Sequence, residues 1–268
     1  AYEATLAGEY IDANNLDNVN TAMMSFKNYD VVNNSYGFDA PFTIISNPSN
    51  TILPGITNAV QTGRVRNGEA LGTVLVFATG NARPLGDDSN TSPLTNNPYG
   101  ITVGAINAPG DLGALVAGQM PFSTQGASIL VSAPGSNMTA TSRLITNDNG
   151  TTFGATVGEY AGSSFAAPVV SGVVALMLEA NPNLGYRDVQ EILALSAKMV
   201  VDPNGTDWVY NGAKNWNGGG MHVSHDYGFG QVDALAAVRL AEVWQEHGTY
   251  ANLTTAFGNS GGLNASIP

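Results

Sequence analysis

The sequence predicts an α/β domain built on a parallel sheet covered by helices. Three observations carry this expectation. Short apolar runs alternate with stretches of helical periodicity, the habit of strands joined by crossover helices. Each run is bounded by Gly, Pro or Asn, the residues that end strands and open turns. One helical stretch is apolar nearly all the way round, so it must be buried on most sides.

The elements follow in order. Leu16, Val19, Met23 and Phe26 recur at helical spacing and predict a helix over about 17–26. Asp30-Val31-Val32-Asn33-Asn34 is the first strand. Ile56, Ala59, Val60 and Val65 predict a second helix over about 54–66. Three more strands are expected at Thr73-Val74-Leu75-Val76-Phe77-Ala78, Ile101-Thr102-Val103-Gly104-Ala105 and Ser128-Ile129-Leu130-Val131-Ser132. The all-round apolar helix runs from Ser164 to Ala180. Another follows Gly185, with Val189, Ile192, Leu193 and Leu195 in phase. The last is expected over about 233–246, beginning at Asp233 and stopped by Gly248. Long Asn-, Gly- and Asp-rich connections occupy 82–98, 136–161 and 202–228; connections of such length are usually functional or disordered. Residues 249–268 carry Gly258-Asn259-Ser260-Gly261-Gly262 and read as a flexible linker after a domain spanning 1–248.

Composition narrows the function classes. Nine Lys plus Arg stand against 21 Asp plus Glu, a net charge of −12. No basic surface is on offer for nucleic acid or for an anionic membrane. Only 11% of the 268 residues are charged, against the usual ~25%, so polarity rests on Asn, Ser and Thr. With no cysteine, disulfides, thiolate nucleophiles and Cys-ligated zinc are excluded. The runs 73–78 and 169–178 fall short of the roughly 18 residues that span a bilayer, and 1–15 has no signal-peptide pattern. This composition fits a secreted protein, and equally an acidic halotolerant cytosolic one. No His-Glu-x-x-His, phosphate loop or dinucleotide fingerprint is present.

Three short segments carry the chemistry. Gly162-Ser163-Ser164-Phe165-Ala166-Ala167-Pro168 stands at the mouth of the buried helix. A serine in a first helical turn lies among unpaired N–H groups at the positive end of the dipole, where an oxyanion is stabilised. The small residues leave room for a substrate backbone, and Pro168 suits a helix start that needs no donor. The segment reads equally as an ordinary capping sequence. Strand 73–78 runs into Thr79-Gly80-Asn81, beyond the carboxyl end of a strand, where α/β sheets bind ligands; Asn81 is there either an oxyanion donor or a turn former. Asn34-Ser35-Tyr36-Gly37-Phe38 follows another strand and offers an edge for strand addition by a peptide.

Jointly the three segments resemble the substrate-binding half of the subtilisin-like serine peptidases. That family uses a Ser-x-Gly strand, a Gly-Asn oxyanion turn and Gly-(Thr/Ser)-Ser-x-Ala-x-Pro, in that order. The run from Leu178 to Gln190 and the run from Val223 to Ala234 are similar to the kexin/furin-like (proprotein convertase) branch. The resemblance implies a doubly wound, mostly parallel α/β fold with helices on both faces, incomplete at its N-terminal side, and hydrolysis of peptide bonds. It implies Ser164 as nucleophile and Asn81 as side-chain oxyanion donor. Ser35-Tyr36-Gly37 and Ala78-Thr79-Gly80 would be the strands flanking the specificity pocket. Asp87 matches a family calcium position, and a structural Ca2+ would suit this oxygen-rich loop.

Two departures qualify the resemblance. The family's catalytic Asp and His lie in an Asp-x-Gly strand and a His-Gly-Thr helix start, neither of which is in this sequence; His222, His225 and His247 all follow Ser164. Three expectations stand side by side: an upstream segment of a longer protein supplies Asp and His, a separate chain supplies them, or the chain is a non-catalytic peptide-binding or scaffold relative. Convertases also line their pocket with acids. Here Ser92 and Ala40 fall at two such positions, which leaves a basic preference without its usual acids; Asp39, Asp87 and Asp88 are the acids nearby.

Overall fold

All four apolar runs become strands of one parallel sheet in the computed structural model, which describes residues 3–12, 15–37, 52–107, 121–141, 156–200, 208–211 and 221–253. The elements are α1 (Leu16–Ser25), β1 (Val31–Asn34), α2 (Leu53–Thr62), β2 (Val65–Arg66), β3 (Glu69–Ala70), β4 (Val74–Ala78), β5 (Gly100–Ile106), β6 (Ile129–Pro134), β7 (Met138–Thr141), β8 (Thr156–Tyr160), α3 (Ser163–Ala180), α4 (Tyr186–Ser196), β9 (Val209–Tyr210), β10 (His222–Val223) and α5 (Ala234–Val243). The sheet order is β1-β4-β5-β6, in parallel register from Val31 beside Val74 to Ile106 beside Pro134. Every residue of β4 is buried, so both sheet faces are covered, as parallel sheets require.

The centre of the core is α3, which packs across β1, β4, β5 and β6 and against α5. Ala166, Ala167, Val170, Val174 and Met177 lose all exposure there. Burial of each larger side chain stabilises by about 1.5–3 kcal/mol. By length and composition α3 is the one described helix that could cross a bilayer, but these contacts make it a core helix. Buried Arg64 donates to the carbonyls of Gly72, Leu184 and Pro182 and thereby ties the start of β4 to the α3–α4 turn. Burial lowers its pKa to about 10, with Asp30 opposing.

Four local expectations need correction. The second helix stops at Thr62, because Gly63 turns extended. Val65 and Arg66 then pair with Ala70 and Glu69 around Asn67-Gly68, both at positive φ. Asn-Gly is a strong signal for a type I′ hairpin, and it outweighed Val65, which is 62% exposed. The connections 136–161 and 202–228 hold strands: β7 pairs with β8, and β9 with β10.

At the other end, α5 finishes at Val243 rather than running to Gly248. Gly248 instead donates its N–H to Asp188 Oδ1 at 2.8 Å. The buried Asp188 carboxylate also accepts from Gly185 N–H and Trp244 Nε1, so one side chain joins the start of α4 to the chain after α5. Thr249 is 0% exposed and Tyr250 meets the Tyr99 ring. The expected linker therefore does not begin at 249; residues 254–268 lie outside those described.

Asp233 caps α5 as expected, accepting the Ala236 N–H at 3.0 Å. That bond leads the causes holding its pKa below the usual carboxylate value, with Lys198 adding to it. Asp233→Ala should cost about 1 kcal/mol at neutral pH. Because the folded pKa is depressed, this contribution is present above the unfolded value and is lost as pH falls through the folded one. Urea titrations of both forms should differ at pH 7 and converge in strong acid.

Candidate active site

Adjacent strands β1 and β4 keep register only as far as Asn34 beside Phe77. Beyond it, at the carboxyl edge of the sheet, the two chains bond different elements. Ser35 turns to α3, donating its hydroxyl to the Ser164 carbonyl at 2.9 Å. Thr79 turns the other way: its N–H goes to Val103 O and its hydroxyl to Thr124 O. Ala78 closes β4 as a buried residue.

The turn at 79–82 is gripped from two sides. Thr124 donates its N–H to Gly80 O, and its hydroxyl accepts the Ala82 N–H at 3.0 Å. Gly80 sits at φ +105, and a Cβ there would stand 3.1 Å from the Thr124 hydroxyl. Farther along, Arg83 pairs with Asp226 in a largely buried ion pair.

Ser163 makes the decisive contact. Asn81 Oδ1 accepts the Ser163 N–H at 2.8 Å and lies 3.0 Å from the Ser163 hydroxyl. Gly80 N–H donates to that same hydroxyl at 3.0 Å. With its oxygen committed, the Asn81 amide points its NH2 away from Ser163. The nitrogen stands 3.4 Å from where a Cβ on Gly162 would be, two residues before Ser164. Gly162 has φ +156 and ψ +151, a conformation open essentially only to glycine. Asn81 is exposed and Ser164 partly buried.

Ser164 is the second residue of α3, in the turn whose N–H groups lack intrahelical acceptors. Its hydroxyl donates to Ser35 O at 3.2 Å. Pro168 is not at the helix start, as expected, but is the sixth residue of α3, inside the ladder. Tyr36 donates its hydroxyl to Asn34 Oδ1 at 2.8 Å, and burial raises its pKa far above the ordinary phenol value, although 36% of the residue is exposed. Gly37 is exposed, with open space where a Cβ would project. On the far side of Ser164, Phe165 tilts against the half-exposed Tyr160 ring.

The structure thus brings Ser164, Asn81, Ser35 and the 78–80 strand end together, with Tyr36 and Gly37 continuing from Ser35. Sequence reasoning passed over Ser163 and Thr124. The available signal was a hydroxyl residue directly before Ser164, whose backbone and side chain both hold Asn81. Among the described residues, no histidine bonds Ser164: His247 pairs with Glu69 at 3.0 Å, His222 packs on Trp208, and the His225 carbonyl accepts from Gly126.

Asp87 does not join this group. It accepts the Thr91 hydroxyl at 3.3 Å, while Asp88 caps the following turn through the Asn90 N–H. No three His, Asp or Glu side chains converge as a metal cluster among the described residues. Ser92 accepts the Leu94 N–H within its own turn; Asp39 and Ala40 lie outside the described residues.

The chain is similar in sequence and fold to known proteins. The family model described as the subtilase family matches residues 1–230. Kexin of Saccharomyces cerevisiae is 32% identical over 201 residues, covering 75% of this chain and 22% of kexin. The PC3-like endoprotease variant B of Hydra vulgaris is 28% identical over 261 residues, covering 96% of this chain and 34% of that protein. This chain therefore spans about a third or less of either relative. Among solved structures, the serine protease of Aeromonas sobria in complex with its chaperone superposes with a TM-score of 0.68 at 22% identity, covering 87% of this chain and 47% of that one. Fervidolysin from Fervidobacterium pennivorans gives 0.54 at 22% identity, covering 84% and 29%. At such identities the shared property is the fold, here the doubly wound, subtilisin-like α/β fold. Matched over most of its length, the chain belongs to the subtilase family, and its relatives there include kexin-like endoproteases.

Proposed function

We propose that this chain is the nucleophile-bearing part of a serine endopeptidase. A peptide or protein substrate lies along Ser35-Tyr36-Gly37, with the side chain before the scissile bond entering the gap between that strand and Ala78-Thr79-Gly80. Ser164 Oγ attacks the scissile carbonyl. The tetrahedral oxyanion accepts hydrogen bonds from the Ser164 N–H and the Asn81 amide. A His, oriented by an Asp, takes the Ser164 proton and passes it to the leaving amine; an upstream segment or a partner chain supplies both. When that base arrives, the Ser164 hydroxyl exchanges its bond to Ser35 O for one to the imidazole. Export from the cell belongs to the same reading, supported by the kexin-like relatives.

One observation carries the reading: Ser163 locks the Asn81 oxygen, so a carboxamide N–H is held beside Gly162, two residues before Ser164. A cap alone needs no second side chain so oriented. The test is covalent labelling of the full-length protein by a fluorophosphonate, with the adduct located by peptide mapping. Adduct on Ser164 is the expected result. If the full-length protein binds peptide yet stays unlabelled, the chain is a binding relative and the peptidase reading fails.

A further inference from the structure

Pro168 removes one donor from α3. In an α-helix the N–H of residue 168 bonds the carbonyl of residue 164, and proline has no N–H. The orphaned acceptor belongs to Ser164 itself. A different element satisfies it, because the Ser35 hydroxyl, just past β1, donates to Ser164 O at 2.9 Å.

The direction of that bond is set by its acceptor, since a carbonyl oxygen only accepts, and a neighbour holds the hydroxyl in place. A serine hydroxyl has one proton, and the Ser35 oxygen accepts from Asn33 Nδ2 at 2.8 Å, which leaves its own hydrogen aimed at Ser164 O. Asn33 Oδ1 lies 3.1 Å from the Ser171 hydroxyl, on the turn of α3 beyond Pro168. The reverse bond, from Ser164 Oγ to Ser35 O, closes a ring between the two serines. The end of β1 and the second residue of α3 therefore hold each other through main chain and side chain at once.

We propose that Ser35 is a positioning residue whose hydroxyl replaces the donor that Pro168 lacks. Fixing the Ser164 carbonyl fixes ψ at Ser164, and with the reverse bond it sets where Oγ stands against the strand that receives the peptide. A misplacement of about 1 Å can cost a hundredfold in rate, so a donor supplied from the substrate strand ties nucleophile and substrate to one frame. This inference rests on Ser164 being the nucleophile, and it adds a role for the Ser35 side chain that strand pairing with a peptide does not require.

Four forms of the full-length protein test it: wild type, S35A, P168A and S35A/P168A, with S35T as the form that keeps a hydroxyl. The readouts are kcat and KM on a peptide, the fluorophosphonate labelling rate, and the thermal midpoint. S35A should lower kcat and labelling about tenfold, with KM within about twofold, and S35T should recover most of the loss. In the P168A background the helix supplies its own N–H to Ser164 O, so the S35A penalty should shrink to about threefold or less. The thermal midpoint should show the same coupling, with about 2–4 °C lost on S35A when Pro168 is present and less in the P168A background. An S35A penalty of equal size in both backgrounds, or one confined to KM, overturns the proposal. If no form is labelled while the thermal coupling holds, the donor replacement stands and Ser164 as nucleophile falls; if the thermal coupling is missing, the replacement itself is wrong.

Discussion

Replacing Ser164 by Ala is expected to lower peptide turnover of the full-length enzyme about 10⁶-fold, the size of loss that removing a triad nucleophile causes in subtilisin, a relative. About 10³–10⁴ over the uncatalysed reaction should remain, supplied by the oxyanion donors and by binding. The fold should barely notice. Ser164 lies in the first turn of α3 and is only partly buried, its hydroxyl bonds Ser35 O, and Ala has the higher helix propensity. The checks are single-turnover kinetics on a peptide ester and calorimetry on the same samples. A large fall in melting temperature with turnover intact would make the hydroxyl a structural group and end the nucleophile assignment.

Turnover and stability separate in this way because the sheet is built by residues remote from the site. Those residues were also the legible ones. β4 and β5 read as strands because Val74-Leu75-Val76-Phe77 and Ile101-Thr102-Val103 are apolar but for Thr102, as a strand buried on both faces demands. α3 was legible because its apolar residues circle the helix, and α5 because Asp233 has the side chain a cap needs. What stayed hidden depends on partners distant in sequence. Gly248 read as a helix stop, whereas it supplies an N–H to Asp188, 60 residues away. Pro168 read as a helix-start proline, and its effect is visible only once Ser35 is found on the carbonyl it leaves open. Val65 stands in helical phase by accident, and the local signal that decides its strand is Asn67-Gly68. At the site, Ser164 and Asn81 were each recognisable by motif, but Ser163 shows its part only when its N–H and hydroxyl are seen on Asn81.

That clamp makes Asn81→Ala the second large expectation. Removing one preorganised donor to an oxyanion costs about 10²–10³ in turnover, a magnitude known from subtilisin. The loss should fall on kcat, with KM changed only a few-fold, because the donor is aimed at the tetrahedral oxygen rather than at the planar carbonyl. Asn81→Asp keeps the size and the acceptor for Ser163 but removes the N–H and adds negative charge beside the developing oxyanion; its kcat should fall at least as far. The two differ in stability. Alanine leaves the buried Ser163 N–H without its acceptor, at a cost of about 1–3 kcal/mol, whereas aspartate still accepts that bond. Ser163→Ala should lie between wild type and these forms, about tenfold down in kcat, because the Ser163 N–H still holds Asn81 Oδ1 while the hydroxyl support is gone. Measuring kcat, KM and urea midpoints for the three variants separates an oxyanion donor from a turn former. A kcat unchanged in Asn81→Asp would mean that the oxyanion is held elsewhere and that Asn81 serves only to shape the turn after β4.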